Sequence, residues 1–141
     1  MSGTESHEFA ARMDALAEAI AFVETFGAAH GVAHDALLRL TLIVEELFTN
    51  TVQHGHGGDS AHRIALALAA GPDSLCLVYE DEAPPFDPLA RGIAAAAIDA
   101  PADARPVGGL GIHLVVQMAR QVAYACVRGR NRLTVELART D

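Results

Sequence analysis

Apolar positions along this chain follow two periods, one near 3.6 and one of two. From residue 10 to about residue 30, Met13, Leu16, Ala17, Ile20, Val23 and Phe26 form one stripe at helical spacing, and Gly31 ends it. A second helix is predicted from His34 or Asp35 to about His54. Leu42, Ile43, Leu47 and Val52 recur at that spacing before Gly55, Gly57 and Gly58 break the pattern. Over residues 62–69 the period becomes two: Ile64, Leu66 and Leu68 alternate with alanines. A Gly-Pro-Asp turn follows, and residues 75–81 set Leu75, Leu77 and Tyr79 against Cys76, Val78 and Glu80. These two segments are predicted to form a hairpin.

A long connection separates this hairpin from the remaining elements. Pro84, Pro85, Pro88, Pro101 and Pro106 all fall within residues 82–107, with an alanine-rich piece at 89–97 that suits a short helix. A stretch of that length and composition inside a compact domain is expected to be a functional lid or partly disordered. A third helix is predicted from Ile112 to about Arg120. The chain then closes on strands at 122–127 and 132–138 around a turn at 128–131. Residues 1–8 are polar and expected to be loose, with a short edge strand near 7–9. The order helix, helix, hairpin, lid, helix, hairpin predicts one α/β domain spanning 1–141, with helices on one face of a mainly antiparallel sheet.

Composition narrows what such a domain can do. The 141 residues are 51% apolar, so they can build a full core. Eighteen acids against ten bases give a net charge of −8, which argues against a general nucleic-acid or anionic-membrane surface. All ten bases are arginine. Without lysine there is no complete P-loop, no lysine-dependent protein-kinase arrangement and no Schiff base. Cys76 and Cys126 fall in apolar runs that read as strands, lack a metal-ligand partner at CxxC spacing and fit reduced, buried thiols in a cytoplasmic protein. The start, MSGTESHEF, lacks the features of a signal peptide. No apolar run approaches the roughly 18 residues of a membrane span.

Three places carry candidate chemistry. Glu46 and Asn50 stand four apart, so about 40° separates them on one helix face. A carboxylate there can accept a proton, and the amide oxygen one turn on can hold a hard cation. Asp81 ends a strand, where it can accept a hydrogen bond from an amine or simply serve the turn that follows. Gly109-x-Gly111 opens the third helix, where backbone N–H groups favour phosphate. It fails as a dinucleotide fingerprint because Leu114 stands at the third glycine position. His54, His56, Asp59 and His62 lack defined metal-ligand spacing and read as a helix end and loop.

Together these stretches resemble three boxes in order. Glu46-Leu47-Phe48-Thr49-Asn50 with His54-Gly55, then Asp81 with Pro84-Pro85-Phe86-Asp87-Pro88, then Gly108-Gly109-Leu110-Gly111-Ile112-His113-Leu114 look like the N, G1 and G2 boxes of the GHKL ATPases. That group includes gyrase B, histidine kinases and MutL. The likeness is nearest to the small bacterial serine-protein kinases that act as anti-sigma factors, the RsbW and SpoIIAB kind, and spans about residues 13–137.

The resemblance implies an α/β sandwich with helices over a mixed, mostly antiparallel sheet, and an ATP lid at about 82–110. It implies ATP and Mg²⁺ as cofactors, Glu46 as general base and Asn50 as Mg²⁺ ligand. Asp81 would recognise adenine, helped by a late-strand threonine, for which Thr134 is the candidate. The nucleotide-facing segment would be Gly108, Gly109, Leu110, Gly111 and Ile112, and Arg105 a γ-phosphate contact. Implied partners are a STAS-domain anti-sigma antagonist, a sigma factor or other regulatory target, and a second copy in a homodimer. A nucleotide-sensing module that sequesters a partner without phosphoryl transfer is the alternative. Ala83 supports it, because the G1 pattern is Asp-x-Gly and alanine restricts close approach.

Overall fold

A computed structural model of the chain describes residues 3–87, 89 and 109–139. Its five strands form one sheet in the order β1-β2-β3-β5-β4. They are β1 (Gly3–Ala10), β2 (Arg63–Ala70), β3 (Ser74–Asp81), β4 (Gln121–Val127) and β5 (Arg130–Ala138). The helices are α1 (Leu16–His30), α2 (His34–Asn50) and α3 (Gly109–Met118). All four ladders between described strands are antiparallel. The sheet is thus at the fully antiparallel end of the mixed, mostly antiparallel arrangement expected.

One face of the sheet carries the core. Ile64, Leu66, Leu68, Leu75, Leu77, Leu133, Val135 and Leu137 point inward from β2, β3 and β5. They meet Val23 and Phe26 of α1, Leu40, Ile43, Val44, Leu47 and Phe48 of α2, and Val115 of α3. The alternation in β3 is strict: Leu75, Leu77, Tyr79 and Asp81 are buried and their neighbours half-buried. Period-two patterning therefore carries Asp81 inward beneath the helices instead of leaving it at a solvent turn. Neither thiol is buried as expected: Cys76 is one of the half-buried neighbours, on a position that alternates away from the core, and Cys126, near the end of the edge strand β4, is exposed.

Several element boundaries differ from expectation. The polar start is an eight-residue edge strand, pairing Thr4 with Ala69 and Phe9 with Ile64. Its inward positions are polar except near Phe9, because an edge strand lies beside the core more than over it. The first helix begins at Leu16, after a 3₁₀ turn at Met13–Ala15 whose Met13 N–H donates to Asp59 Oδ1 at 2.8 Å. Gly31, at φ 63°, ends α1, and the Val32 N–H returns to the Gly27 carbonyl at 3.0 Å. The third helix starts at Gly109, three residues earlier than expected.

Candidate functional site

The α-helix of α2 ends at Asn50 and widens into a π-helical turn, Thr51–Gly55. The His56 N–H bonds the Thr51 carbonyl at 3.0 Å, five residues back. Both Thr51 and Val52 are buried. Such widened turns rotate side chains that a regular helix would place elsewhere, and here Thr51 turns toward the sheet.

Thr51 meets β3 at a buried polar network. Its Oγ1 donates to Asp81 Oδ2 at 2.7 Å and lies 2.5 Å from the Tyr79 hydroxyl. Each hydroxyl also lies 3.0 Å from the Leu47 carbonyl. A hydroxyl has only one proton, and the carboxylate needs a donor. The assignment that serves Asp81 runs from Tyr79 to Thr51 and from Thr51 to Asp81. The Leu47 carbonyl already receives the Thr51 backbone N–H. Burial holds the Tyr79 phenol well above its usual range, and Asp81 adds to this against the Thr51 hydrogen bond, so Tyr79 remains a donor.

The other oxygen of Asp81 is served from elsewhere. Asn131 Nδ2 donates to Oδ1 at 2.9 Å and the Ala83 N–H at 3.2 Å. Asp81 is 9% exposed and takes these bonds from a strand, a helix end and its own turn. Next to it Glu82 faces the opposite way and is clamped by the Arg63 N–H at 2.7 Å and by Arg130 Nη2 at 3.1 Å. The Arg63 N–H first, then Arg130 and His62, hold the Glu82 carboxyl below its usual range despite some desolvation.

Glu46 and Asn50 are half-buried on the last two turns of α2. Among the described residues, neither side chain makes a hydrogen bond. Asn50 directly precedes Thr51 and Glu46 lies one turn before Asn50, so one continuous piece of chain carries Glu46, Asn50 and the hydroxyl that holds Asp81. α3 packs against α2, and Ile112 and Val115 enter the core. This places the first turn of α3, with Gly109, Leu110 and Gly111, in the same helical layer as Glu46 and Asn50. A helix N-terminus leaves N–H donors unpaired, a suitable arrangement for phosphate.

The structure does not bring Thr134 to Asp81. Thr134 pairs with Val78, whereas Asp81 pairs with Asn131. Positions 131 and 134 differ by an odd number, so Thr134 lies on the sheet face turned away from the helices. The threonine at Asp81 is Thr51, and the β5 residue there is Asn131. Neither was among the expected site residues. The signal for Thr134 was present, since it alternates with Leu133 and Val135. Arg105 and Gly108 lie outside the described residues, as does most of the expected lid.

His56 completes the surroundings. Its ring stacks on His62 at 4.6 Å and 7°, and Nε2 is buried without a hydrogen-bond partner among the described residues. Burial and then His62 pull the His56 imidazole below its usual range, against the pull of Asp81 and Glu82. No group of three or more His, Cys, Asp or Glu residues that could hold a metal occurs among the described residues. Mg²⁺ makes a smaller demand, since it keeps waters and takes one or two protein oxygens beside phosphate. The uncommitted amide oxygen of Asn50 fits that demand.

A two-layer α/β sandwich in which the turn that ends a polar-faced helix is bonded to a buried strand aspartate fits an ATPase domain of the histidine-kinase type. The sequence agrees: residues 9–137 match the model of the histidine kinase-like ATPase domain, and the chain belongs to that family. Among solved structures, a chain of the SiaB–SiaC complex from Pseudomonas aeruginosa shares the fold at a TM-score of 0.62 and 10% identity. The match covers 95% of this chain and 89% of that one. No curated protein matches the chain. Among the described residues, no helix is long and apolar enough to cross a membrane.

Proposed function

We propose that this chain is an ATP- and Mg²⁺-dependent serine-protein kinase of a cytoplasmic partner-switching pathway. It phosphorylates a STAS-domain antagonist and in alternation binds a sigma factor or another regulatory target, possessing the features of an anti-sigma factor. The observation that carries this reading is the 2.7 Å hydrogen bond from Thr51 to Asp81. It fastens the end of the helix bearing Glu46 and Asn50 to the strand end that would recognise adenine. Base recognition and phosphate chemistry thus share one frame, and the positioning of reactants supplies much of the rate in phosphoryl transfer.

In this reading Glu46 accepts the proton of the attacking seryl hydroxyl. Asn50 holds Mg²⁺ through its amide oxygen, and the bound ion would offset phosphate charge. Gly109, Leu110, Gly111 and Ile112 offer N–H groups to phosphate, with Gly108 and Arg105 assigned to the same end of the nucleotide by resemblance alone. Asp81 accepts from the adenine amine. A fold neighbour was crystallised as a complex, SiaB with SiaC, which supports a role in binding a regulatory partner. A homodimer belongs to the proposal on family resemblance.

The second reading, a nucleotide-sensing module without phosphoryl transfer, rests on Ala83. Its methyl is buried at the Asp81 turn, where the Asp-x-Gly pattern would leave space. Incubation with Mg²⁺, [γ-³²P]ATP and a candidate STAS-domain protein of the same organism separates the two. Label on a serine of that protein, lost with Glu46→Gln, is the expected result. ATP binding with no transferred label would favour the second reading, and no nucleotide binding would sink both.

A further inference from the structure

Asn131 is the second residue of β5 and the cross-strand partner of Asp81. Its amide is committed on both sides. Nδ2 lies 2.9 Å from Asp81 Oδ1, 3.1 Å from the Ala83 carbonyl and 3.2 Å from the Pro84 carbonyl. Its Oδ1 accepts from the Phe86 N–H at 3.0 Å and from the Tyr124 hydroxyl at 2.5 Å. Two N–H donors thus face three acceptors, and two lone pairs face two donors. A flipped amide would point its oxygen at a carboxylate and two carbonyls and its NH₂ at the Phe86 N–H. The network therefore fixes the orientation.

Four of these five partners are Asp81 and the chain that leaves it. One side chain accordingly sets both the rotation of the Asp81 carboxylate and the path of residues 83–86. We infer that Asn131 is the positioning residue of the nucleobase pocket: it determines which oxygen of Asp81 remains open to a base. The inference rests on the proposed reading of Asp81 as the adenine acceptor. Asn131 and the Ala83 N–H fill Oδ1, while Oδ2 takes only Thr51 among the described residues. A carboxylate oxygen accepts about two hydrogen bonds, so Oδ2 retains capacity for an exocyclic amine. Guanine presents a carbonyl oxygen at that position, acceptor against acceptor. With Asn131 removed, the carboxylate turns about its Cβ–Cγ bond and residues 83–86 lose three contacts. The distinction between amine and carbonyl then blurs.

The full chain, Asn131→Ala and Asn131→Asp are titrated with ATP and GTP in Mg²⁺, and hydrogen exchange is followed at residues 83–86. Asn131→Asp keeps acceptors for Phe86 and Tyr124 but loses the donors to Asp81, Ala83 and Pro84. The expected result is an affinity ratio of ATP to GTP that falls about tenfold or more in both variants, the loss of a hydrogen bond to a charged group. Faster exchange at Phe86 is expected in Asn131→Ala only. An unchanged ratio, with ATP and GTP weakened equally, would make Asn131 a purely structural residue and overturn the inference while leaving the Asp81 reading intact. An unmodified chain that does not prefer ATP overturns both. Should the variants not fold, the Asn131 side-chain NH₂ resonances of the unmodified chain decide. They are expected to shift with ATP but not with inorganic tripolyphosphate, and no shift with ATP overturns the inference.

Discussion

Gly55 and Ala83 lie so close that a Cβ at position 55 would stand 2.9 Å from the Ala83 Cβ. The alanine that departs from the Asp-x-Gly pattern is therefore accommodated by a glycine at the end of the π-helical turn. Ala83 also avoids positive φ, because Arg128 is the only non-glycine residue in that region among those described. Gly55 leaves the room that the Ala83 methyl occupies, and the Asp81 turn closes without a positive φ at Ala83.

Gly55→Ala should therefore be destabilising. The Ala83 methyl cannot swing aside, and Pro84 and Pro85 stiffen the chain beyond it. Overpacking of this kind typically costs about 1–3 kcal/mol. Ala83→Gly should recover much of that loss in the double variant, through the space it vacates. Denaturant midpoints for the four proteins of the cycle measure the coupling, and additive effects would show that the contact is not limiting.

Thr51→Val should be costlier than its small change in shape suggests. It leaves Asp81 Oδ2 and the Tyr79 hydroxyl without their shared partner in a buried site, and an orphaned buried polar group typically costs about 1–3 kcal/mol. Thr51→Ser keeps the hydroxyl and should stay close to the unmodified protein. Equal stability of the valine and serine variants in urea would remove the network from the account.

The same network sets an alkaline limit. The folded-state pKa of Tyr79 is raised well above 10.0, chiefly by burial. Below about pH 10 the phenol is protonated in both states and this contribution is fully present. As pH rises from there toward the folded value, the unfolded chain loses its proton first, so stability falls. Tyr124 and Cys76 shift the same way, also mainly through burial. Tyr79→Phe should accordingly flatten, without abolishing, the alkaline loss measured by urea titration at several pH values. An unchanged slope would count against a protonated Tyr79.

His56 has the opposite sign. Burial first, then His62, lowers its folded-state pKa below 6.5, against Asp81 and Glu82. Between the folded and unfolded values the unfolded chain binds more protons, so stability should fall as pH drops through about 6.5 and below. His56→Gln should weaken that acid dependence. Glu82 contributes in the same direction at lower pH, because its folded pKa is depressed below 4.5. The histidine effect is therefore read between about pH 7 and 5.

Much of the architecture was legible because burial on one face imposes strict periods. The alternation over 75–81 predicted β3, although its extension to an inward Asp81 was not drawn from it, and the four-residue spacing predicted Glu46 and Asn50 on one face of α2. The site's supporting residues were not legible, for identifiable reasons. No sequence signal announces the π-helical turn that redirects Thr51. Asn131 was assigned to a turn, whereas Arg128 and Gly129, at φ 55° and 79°, make a two-residue hairpin loop. That shorter loop begins β5 at Arg130 and sets Asn131 opposite Asp81. The sequence there is Arg-Gly, not the Asn-Gly that signals such a turn most strongly. Thr134 was misplaced through a family expectation that its own alternation with Leu133 and Val135 contradicts.

The most direct test of the proposed chemistry separates Glu46 from Asn50. Both side chains are half-buried and make no hydrogen bond among the described residues, so their replacement should disturb folding little. Glu46→Gln preserves size and removes the proton acceptor. It should bind ATP with nearly unchanged affinity while label transfer to the STAS partner falls about 10²- to 10⁴-fold, the typical contribution of a general base. Asn50→Ala should act earlier, raising the Mg²⁺ concentration needed for half-maximal ATP binding because an oxygen ligand is lost. A Glu46→Gln variant that phosphorylates normally would remove the base from the mechanism. An Asn50→Ala variant with an unchanged Mg²⁺ requirement would leave the metal to groups elsewhere in the chain.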